Sequence, residues 1–313
     1  MKLKKKEPLQ FRGLCALLLL IACCFRTAAV LGEQGSPFPP EYESFLFRLG
    51  QAREPHAETA PLPQKPLYLD PSLVDIDNRC GAVFDREALL QRPLSFSLSD
   101  DPCILIIHTH GSEAYRDCPG YRSTDPAENM IAVGACMAQR LNAAGIPTIQ
   151  DTTLHDMTAG YNDAYEQAAS AIEAYLEKYP SIQMVIDVHR DAAPDGQGGQ
   201  KPLLTTLNGE RAAQLMLVMG TDTPELPHKD WEQNLSLAVK LQAYFSSLAP
   251  DLMRQMSLRG SRYNQHLTPY SILLEVGSAG NSLEEALPTA AFTADSLAQL
   301  LSYNYGIKCQ FEK

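Results

Sequence analysis

Two uninterrupted apolar runs constrain this chain more than any other feature. Cys103-Ile104-Leu105-Ile106-Ile107 and Ile182-Gln183-Met184-Val185-Ile186-Asp187-Val188 lack the polar alternation of a half-exposed strand. Such runs belong in strands covered on both faces, and helices must supply the cover. Helical patterns sit between them. One is expected from Asp125-Pro126, with Asp as N-cap and Pro at the first helical position, to near Gly145. Another is expected over Tyr161 to Tyr179, ended by Pro180. Ile146–Ile149, Gln214–Met219 and Ser271–Val276 read as further strands, with helices near Asp230–Leu248 and Thr289–Asn304. The alternation predicts an α/β fold: one domain with a mostly parallel, twisted sheet flanked by helices.

Ahead of this pattern the chain changes character twice. Lys2, Lys4, Lys5, Lys6 and Arg12 against Glu7 give residues 1–12 a charge of +4, and Leu14 to Phe25 is apolar. A basic cluster before a short apolar stretch is the form of an export signal, with everything after residue 32 outside the membrane. A cleaved signal, an uncleaved anchor and a lipid-modified cysteine in Leu20-Ile21-Ala22-Cys23 are all open, a single-pass anchor on the outer face of the cell membrane being preferred. Residues 33–100 form a proline-rich stalk or linker and a lead-in segment, the prolines running from Pro37 to Pro66. The domain expected to carry the chemistry spans 101–313.

The chain's net charge is −11, so the part beyond residue 12 carries −15. Such a surface repels phosphate backbones and excludes nucleic acid as a ligand. Of eight cysteines, Cys80, Cys103, Cys118, Cys136 and Cys309 lie outside the apolar leader, none in CxxC spacing. They read as inert small apolar residues rather than a zinc knuckle or redox pair.

Ligands of parallel sheets collect beyond the carboxyl ends of the strands. The first apolar strand runs into His108-Thr109-His110-Gly111-Ser112-Glu113, the next long one into His189-Arg190-Asp191, and a late one carries Glu275. Histidines and carboxylates converging on one edge point to a metal site with an open position. Glu128 lies three residues after Asp125, where a Glu commonly reaches back to cap its own helix. Arg190 has a bland alternative, a salt bridge with Asp187 or Asp191. Tyr263-Asn264-Gln265, His155-Asp156, Tyr161 and Asn162 can line the cleft or simply pack there. His56, His228 and His266 read as surface residues, and Gly196–Gly199 as a flexible loop.

The stretches IHTHGSEAY, ENM…VG…L…GI, HD…YNDAY, KYPSIQMVIDVHRD and RYNQHLTPYSILLEVGSAGNSLEEA closely resemble the stage II sporulation protein P family over about residues 100–305. That resemblance implies a zinc-dependent peptidoglycan hydrolase related to N-acetylmuramoyl-L-alanine amidases, active in engulfment during sporulation. It implies zinc held by His110, Glu128 and His189, with His108 as the rival of His110. Glu275 would be the catalytic carboxylate, Arg190 would help at the oxyanion, and peptide cross-links could also be cut. The implied partners are peptidoglycan and the stage II sporulation proteins D and M. At His266 an acidic residue is expected instead. A catalytically silent wall-binding scaffold would need one of these residues replaced. A serine hydrolase built on Ser112 lacks the G-x-S-x-G elbow.

Overall fold

The computed structural model describes residues 67–158 and 163–305. They belong to a unit running from Pro55 to Lys313. The leader, the stalk up to residue 66, Tyr161, Asn162 and Cys309 lie outside the described residues.

The apolar runs become the middle of a seven-stranded sheet. Strands β1 (Ile76–Asn78), β2 (Ile104–Ile107), β3 (Thr148–Gln150), β4 (Met184–Asp191), β7 (Leu215–Gly220), β8 (Met256–Arg259) and β9 (Ile272–Ser278) stand in the order β1-β8-β7-β9-β4-β2-β3. Every residue of β2 is fully buried, as an unbroken Ile/Leu run requires. All neighbours pair in parallel except β7 and β9. The sheet is therefore two parallel halves of opposite direction. The carboxyl ends of β2, β4 and β9 lie at one rim, and those of β1, β7 and β8 at the other. Residues 67–100, expected as a lead-in, add the edge strand β1 and helix α1 (Arg86–Gln91), which packs on helix α5 (Trp231–Leu248).

The two faces are covered unequally. Helices α2 (Met130–Ala143), α5 and α6 (Leu283–Tyr305) bury the face carrying Ile104, Ile106, Ile186, Leu217, Leu258 and Leu274. On the other face, α4 (Ala164–Lys178) sets Ala168 and Ile172 against Leu105, Ile107 and Val185, with Ile149 and Leu267 packed at the edge of this smaller cluster. Glu275 on β9 and its register partner Met216 on β7 stay partly exposed there, between buried neighbours. No described helix is long and apolar enough to cross a membrane.

Two helix starts differ from expectation. α2 begins at Met130, capped by Asn129, whose Oδ1 accepts from Ile131 N at 2.9 Å. The intended cap Asp125 instead accepts from Ala127 N within a turn, because Asn129 is held in an antiparallel bridge to Ala114. Conversely α6 starts at Leu283 rather than near Thr289. Ser282 N donates to Glu285 Oε2 at 3.0 Å and Glu285 N to Ser282 Oγ at 3.2 Å, a reciprocal cap that carries the helix through Pro288. A hairpin, β5 (Leu204–Leu207) and β6 (Glu210–Ala213), was not anticipated. It turns on Asn208-Gly209, both at positive φ.

Within α2, Gly134 lies against the ring of His108: a Cβ there would sit 2.4 Å from Nε2. Overpacking of this kind costs about 1–3 kcal/mol. We expect Gly134→Ala to lower the free energy of unfolding by that amount, measured by urea unfolding.

Candidate metal centre

β2 ends at Ile107, and the chain turns back on itself at once. Glu113 N donates to His110 O at 3.1 Å, so these two side chains meet at the same rim. The Glu113 strip is then stitched down. It bridges Arg122, its carbonyl accepts from Met130 N, and Tyr115 Oη donates to Val276 O at 2.9 Å. From the neighbouring strand β4, His189 points into the same space. One donor atom each from His110, Glu113 and His189 lies within 4.8 Å of the others, all three residues being buried. Glu113 Oε1 is 3.9 Å from His110 Nδ1, and its Oε2 is 3.5 Å from His189 Nδ1.

The rear of His189 is supported. Its Nε2 lies 2.9 Å from Asp187 Oδ1, although not aligned as a hydrogen bond. Asp187 is itself fixed by Thr109, whose N donates to Oδ1 at 2.9 Å and whose Oγ1 donates to Oδ2 at 2.6 Å. A carboxylate behind an imidazole sets the ring's orientation and makes its other nitrogen a better donor to a metal. Burial disfavours the imidazolium of His189, but Asp187 and Glu113 outweigh it and push the group well above the ordinary histidine value. Burial likewise opposes ionisation of Glu113, yet His189, Arg190 and His110 hold it below the usual carboxylate range. Two imidazoles and one ionised carboxylate, converging and buried, form a donor set suited to Zn²⁺ with a coordination position left over.

Glu275 stands beside His189 in the register of β4 and β9. Its Oε2 is buried without a hydrogen-bond partner. Burial lifts its carboxyl to about 8, with Glu113 and Asp191 adding to the rise and His189 and Arg190 opposing it. His189, Glu275 and Met216 thus form one row across three adjacent strands, at the border of the uncovered face.

Several expected residues lie elsewhere. Glu128 is not among the three converging donors; its Oε2 accepts from Ser123 Oγ at 2.8 Å. Glu113 is the carboxylate in that group, brought to the rim by the 110–113 turn, while Glu128 precedes the helix that starts at Met130. His108 is no rival to His110. Its Nδ1 meets Val188 O at 3.1 Å and its Nε2 meets Gln150 Nε2 at 2.9 Å, and burial pulls it down to about 4, a neutral core imidazole. Arg190 gives its guanidinium to Ala114 O, Tyr121 O and, at 3.4 Å, Glu113 Oε1, so it braces the Glu113 strip rather than facing an oxyanion. The bland alternative for it does not form either, since Asp191 pairs with Arg254 at 2.7 Å.

Ser112 Oγ lies between Asp156 and Arg122, and its contact with Asp156 makes it an anchor of the loop. His155 pairs with Asp151 at 2.9 Å. His228, expected at the surface, is wholly buried, its Nε2 3.0 Å from Gln265 O, because the 260–270 loop folds over it. His266 lies beside it, ring centroids 6.4 Å apart. The four described cysteines outside the leader are free thiols. Glu113 was missed although the signal was present: three residues after a strand-end histidine is where a tight turn returns a side chain to the same edge.

Residues 70–298 match the family described as Stage II sporulation protein P (SpoIIP). The chain belongs to that family. Stage II sporulation protein P of Bacillus subtilis (strain 168) is 27% identical over 223 residues, covering 66% of this chain and 53% of the relative. The chain thus matches about half the length of that curated relative. Solved structures similar to it include the catalytic domain of CwlV, an N-acetylmuramoyl-L-alanine amidase from Bacillus (Paenibacillus) polymyxa, at 14% identity and TM-score 0.42, covering 66% of this chain and 99% of that one. The N-acetylmuramoyl-L-alanine amidase AmiC2 of Nostoc punctiforme overlays at 13% identity and TM-score 0.40, covering 66% and 98%. Overlays this loose have no bearing on the reaction.

Two results are expected. Glu113→Gln should lose bound zinc while Glu128→Gln keeps it, measured by metal analysis after dialysis; the reverse would restore Glu128 to the centre. Asp187→Asn should weaken zinc binding about 10–100-fold, read by competition with a chromophoric chelator.

Proposed function

We propose that this chain is a zinc-dependent peptidoglycan hydrolase that cuts the amide between N-acetylmuramic acid and L-alanine, in cell-wall remodelling during sporulation. The observation that carries this reading is the convergence of His110, Glu113 and His189 beside a buried carboxyl, Glu275, on an uncovered sheet face. Family membership supports the sporulation setting. Peptide cross-links are a second bond within the same reading, and the proposed partners are the stage II sporulation proteins D and M. Export, with an anchor on the outer face of the membrane, is proposed from the basic and apolar leader.

An amide resists attack because its carbonyl is a poor electrophile and its amine a poor leaving group. In this reading His110, Glu113 and His189 hold the zinc. The bound cation supplies Lewis-acid polarisation of the carbonyl and activation of water. The remaining work falls to the protein's own groups. Asp187 and Thr109 keep the His189 ring fixed, and Arg190 keeps Glu113 in place. Glu275 Oε2 takes a proton from water and returns it to the departing amine. Burial raises this carboxyl above the usual carboxylate range, the direction that suits a group that must both accept and donate a proton. In this reading the polymer approaches over Glu275 and Met216, which are partly exposed.

Burying that carboxyl has a stability cost with a definite sign. Its folded value, about 8, lies above the usual 4.5, so the folded state is progressively destabilised as pH rises from about 4.5 to about 8. Glu275→Gln should therefore retain zinc, release no muropeptides from sacculi by chromatography, and melt higher. The chelator-treated variant should gain roughly 2–4 °C over chelator-treated wild type at pH 8, and little at pH 4.5. Full muropeptide release by the variant would remove Glu275 from the mechanism.

A further inference from the structure

The loop between β8 and β9 contains two adjacent non-glycine residues in the left-handed region, Tyr263 (φ 50°) and Asn264 (φ 57°). Such residues persist only where the surroundings hold them, and they concentrate at functional sites. Here the holding contacts are explicit. Asn264 Nδ2 donates to Tyr165 O at 2.8 Å, and Gln265 N closes a turn to Arg262 O. The Gln265 side chain clamps the loop to β7, accepting from Gly220 N and donating to Val218 O, each at 2.9 Å.

This kink places the half-buried Tyr263 ring 6.1 Å from that of Tyr165. Tyr165, at the start of α4, in turn meets His110 edge-on at 5.5 Å. The phenol of Tyr263 is raised by burial and by the charge of Glu275, while a hydrogen bond with Ser261 and the charge of Arg259 pull the other way. Tyr263 therefore lies within electrostatic reach of Glu275, while its ring joins a row that leads to His110. It stands on the side of the sheet where α4 covers β2 and β4 and leaves Glu275 and Met216 partly exposed. The metal centre accounts for His110, but nothing in it needs Tyr263.

We propose that Tyr263 is a substrate-positioning residue: its ring and that of Tyr165 form an aromatic wall that holds the glycan–peptide chain over Glu275. The inference rests on the hydrolase reading and adds a contact on the substrate. Aromatic side chains suit this role because they present a large rigid face with little side-chain entropy to lose, and Tyr adds a hydroxyl at the wet edge. The cost of the left-handed pair is the backbone's contribution to placing the ring.

The test uses the full chain loaded with zinc. Tyr263→Ala and the bulk-preserving Tyr263→Leu are compared with wild type for KM and kcat on sacculi, zinc stoichiometry and melting temperature. The expected result is a KM about tenfold higher in both, with unchanged zinc content and Tyr263→Phe closer to wild type. Binding is measured separately, by cosedimentation with sacculi, in the inactive Glu275→Gln background. Adding Tyr263→Ala there should weaken binding by a similar factor. Unchanged KM and unchanged cosedimentation would overturn the proposal. So would zinc loss in Tyr263→Leu, which would make the ring a support for His110 instead. If zinc-loaded wild type fails to cut sacculi, the hydrolase reading falls, while the cosedimentation result still decides whether Tyr263 contacts the wall polymer.

Discussion

The rim of the sheet depends on one buried carboxylate. Asp187 sits inside β4, where the apolar run would otherwise continue, and it is 5% exposed. A charge so placed is tolerated only if its oxygens are satisfied, and removing one partner of such a pair typically costs about 3–5 kcal/mol. Thr109 supplies a backbone and a side-chain donor, and His189 supplies positive charge. Asp187 and His189 lie on β4, and Thr109 lies on the loop that leaves the neighbouring strand β2. Satisfying Asp187 therefore sets the path of the chain through residues 108–113, and with it the positions of His110 and Glu113. The candidate metal centre inherits its geometry from this anchor more than from any contact among its own side chains.

Around that anchor, sheet pairing does the rest. Parallel register puts His189 next to Glu275, and antiparallel register adds Met216 on the far side. Neighbouring strands lie about 4.8 Å apart, so His189 and Glu275 are separated by one such step without any loop having to place them. Loops then differentiate the environment. The 108–130 segment closes over one flank through Tyr115, Ser112 and Arg122, and the 260–270 loop borders the other.

Much of this was legible in the residues because the strongest signals were periodic. The apolar runs of β2 and β4, the strand ends bearing His110 and His189, and the helices α4 and α5 follow directly from burial. The failures were local and had physical causes. Reciprocal capping was read into Asp125 and Glu128, where a β-bridge at Asn129 overrides it, and went unread at Ser282 and Glu285, where it forms. Leu207-Asn208-Gly209-Glu210 carries the hairpin signal of an Asn-Gly turn, hidden because the flanking strands are short. His108 and His110 are equivalent by spacing. Only Gly134 on a distant helix, leaving room for the His108 ring, shows which one turns inward to the core. His228 has no pattern at all: its burial depends on a loop that arrives from elsewhere in the chain.

The reversal of strand direction between β7 and β9 divides the molecule's connecting segments into two groups. The connection leaving β2 carries His110 and Glu113, beside His189 in β4 and Glu275 in β9, so an insertion there would be felt at once. Those leaving β1 and β7 emerge on the opposite margin, where Asp222 accepts from His228 N, whereas the β8–β9 connection runs from that margin to Tyr165. Descendants of this fold could lengthen or decorate that margin for tethering or assembly while inheriting the reactive side intact, a modularity written into the sheet by a single antiparallel seam.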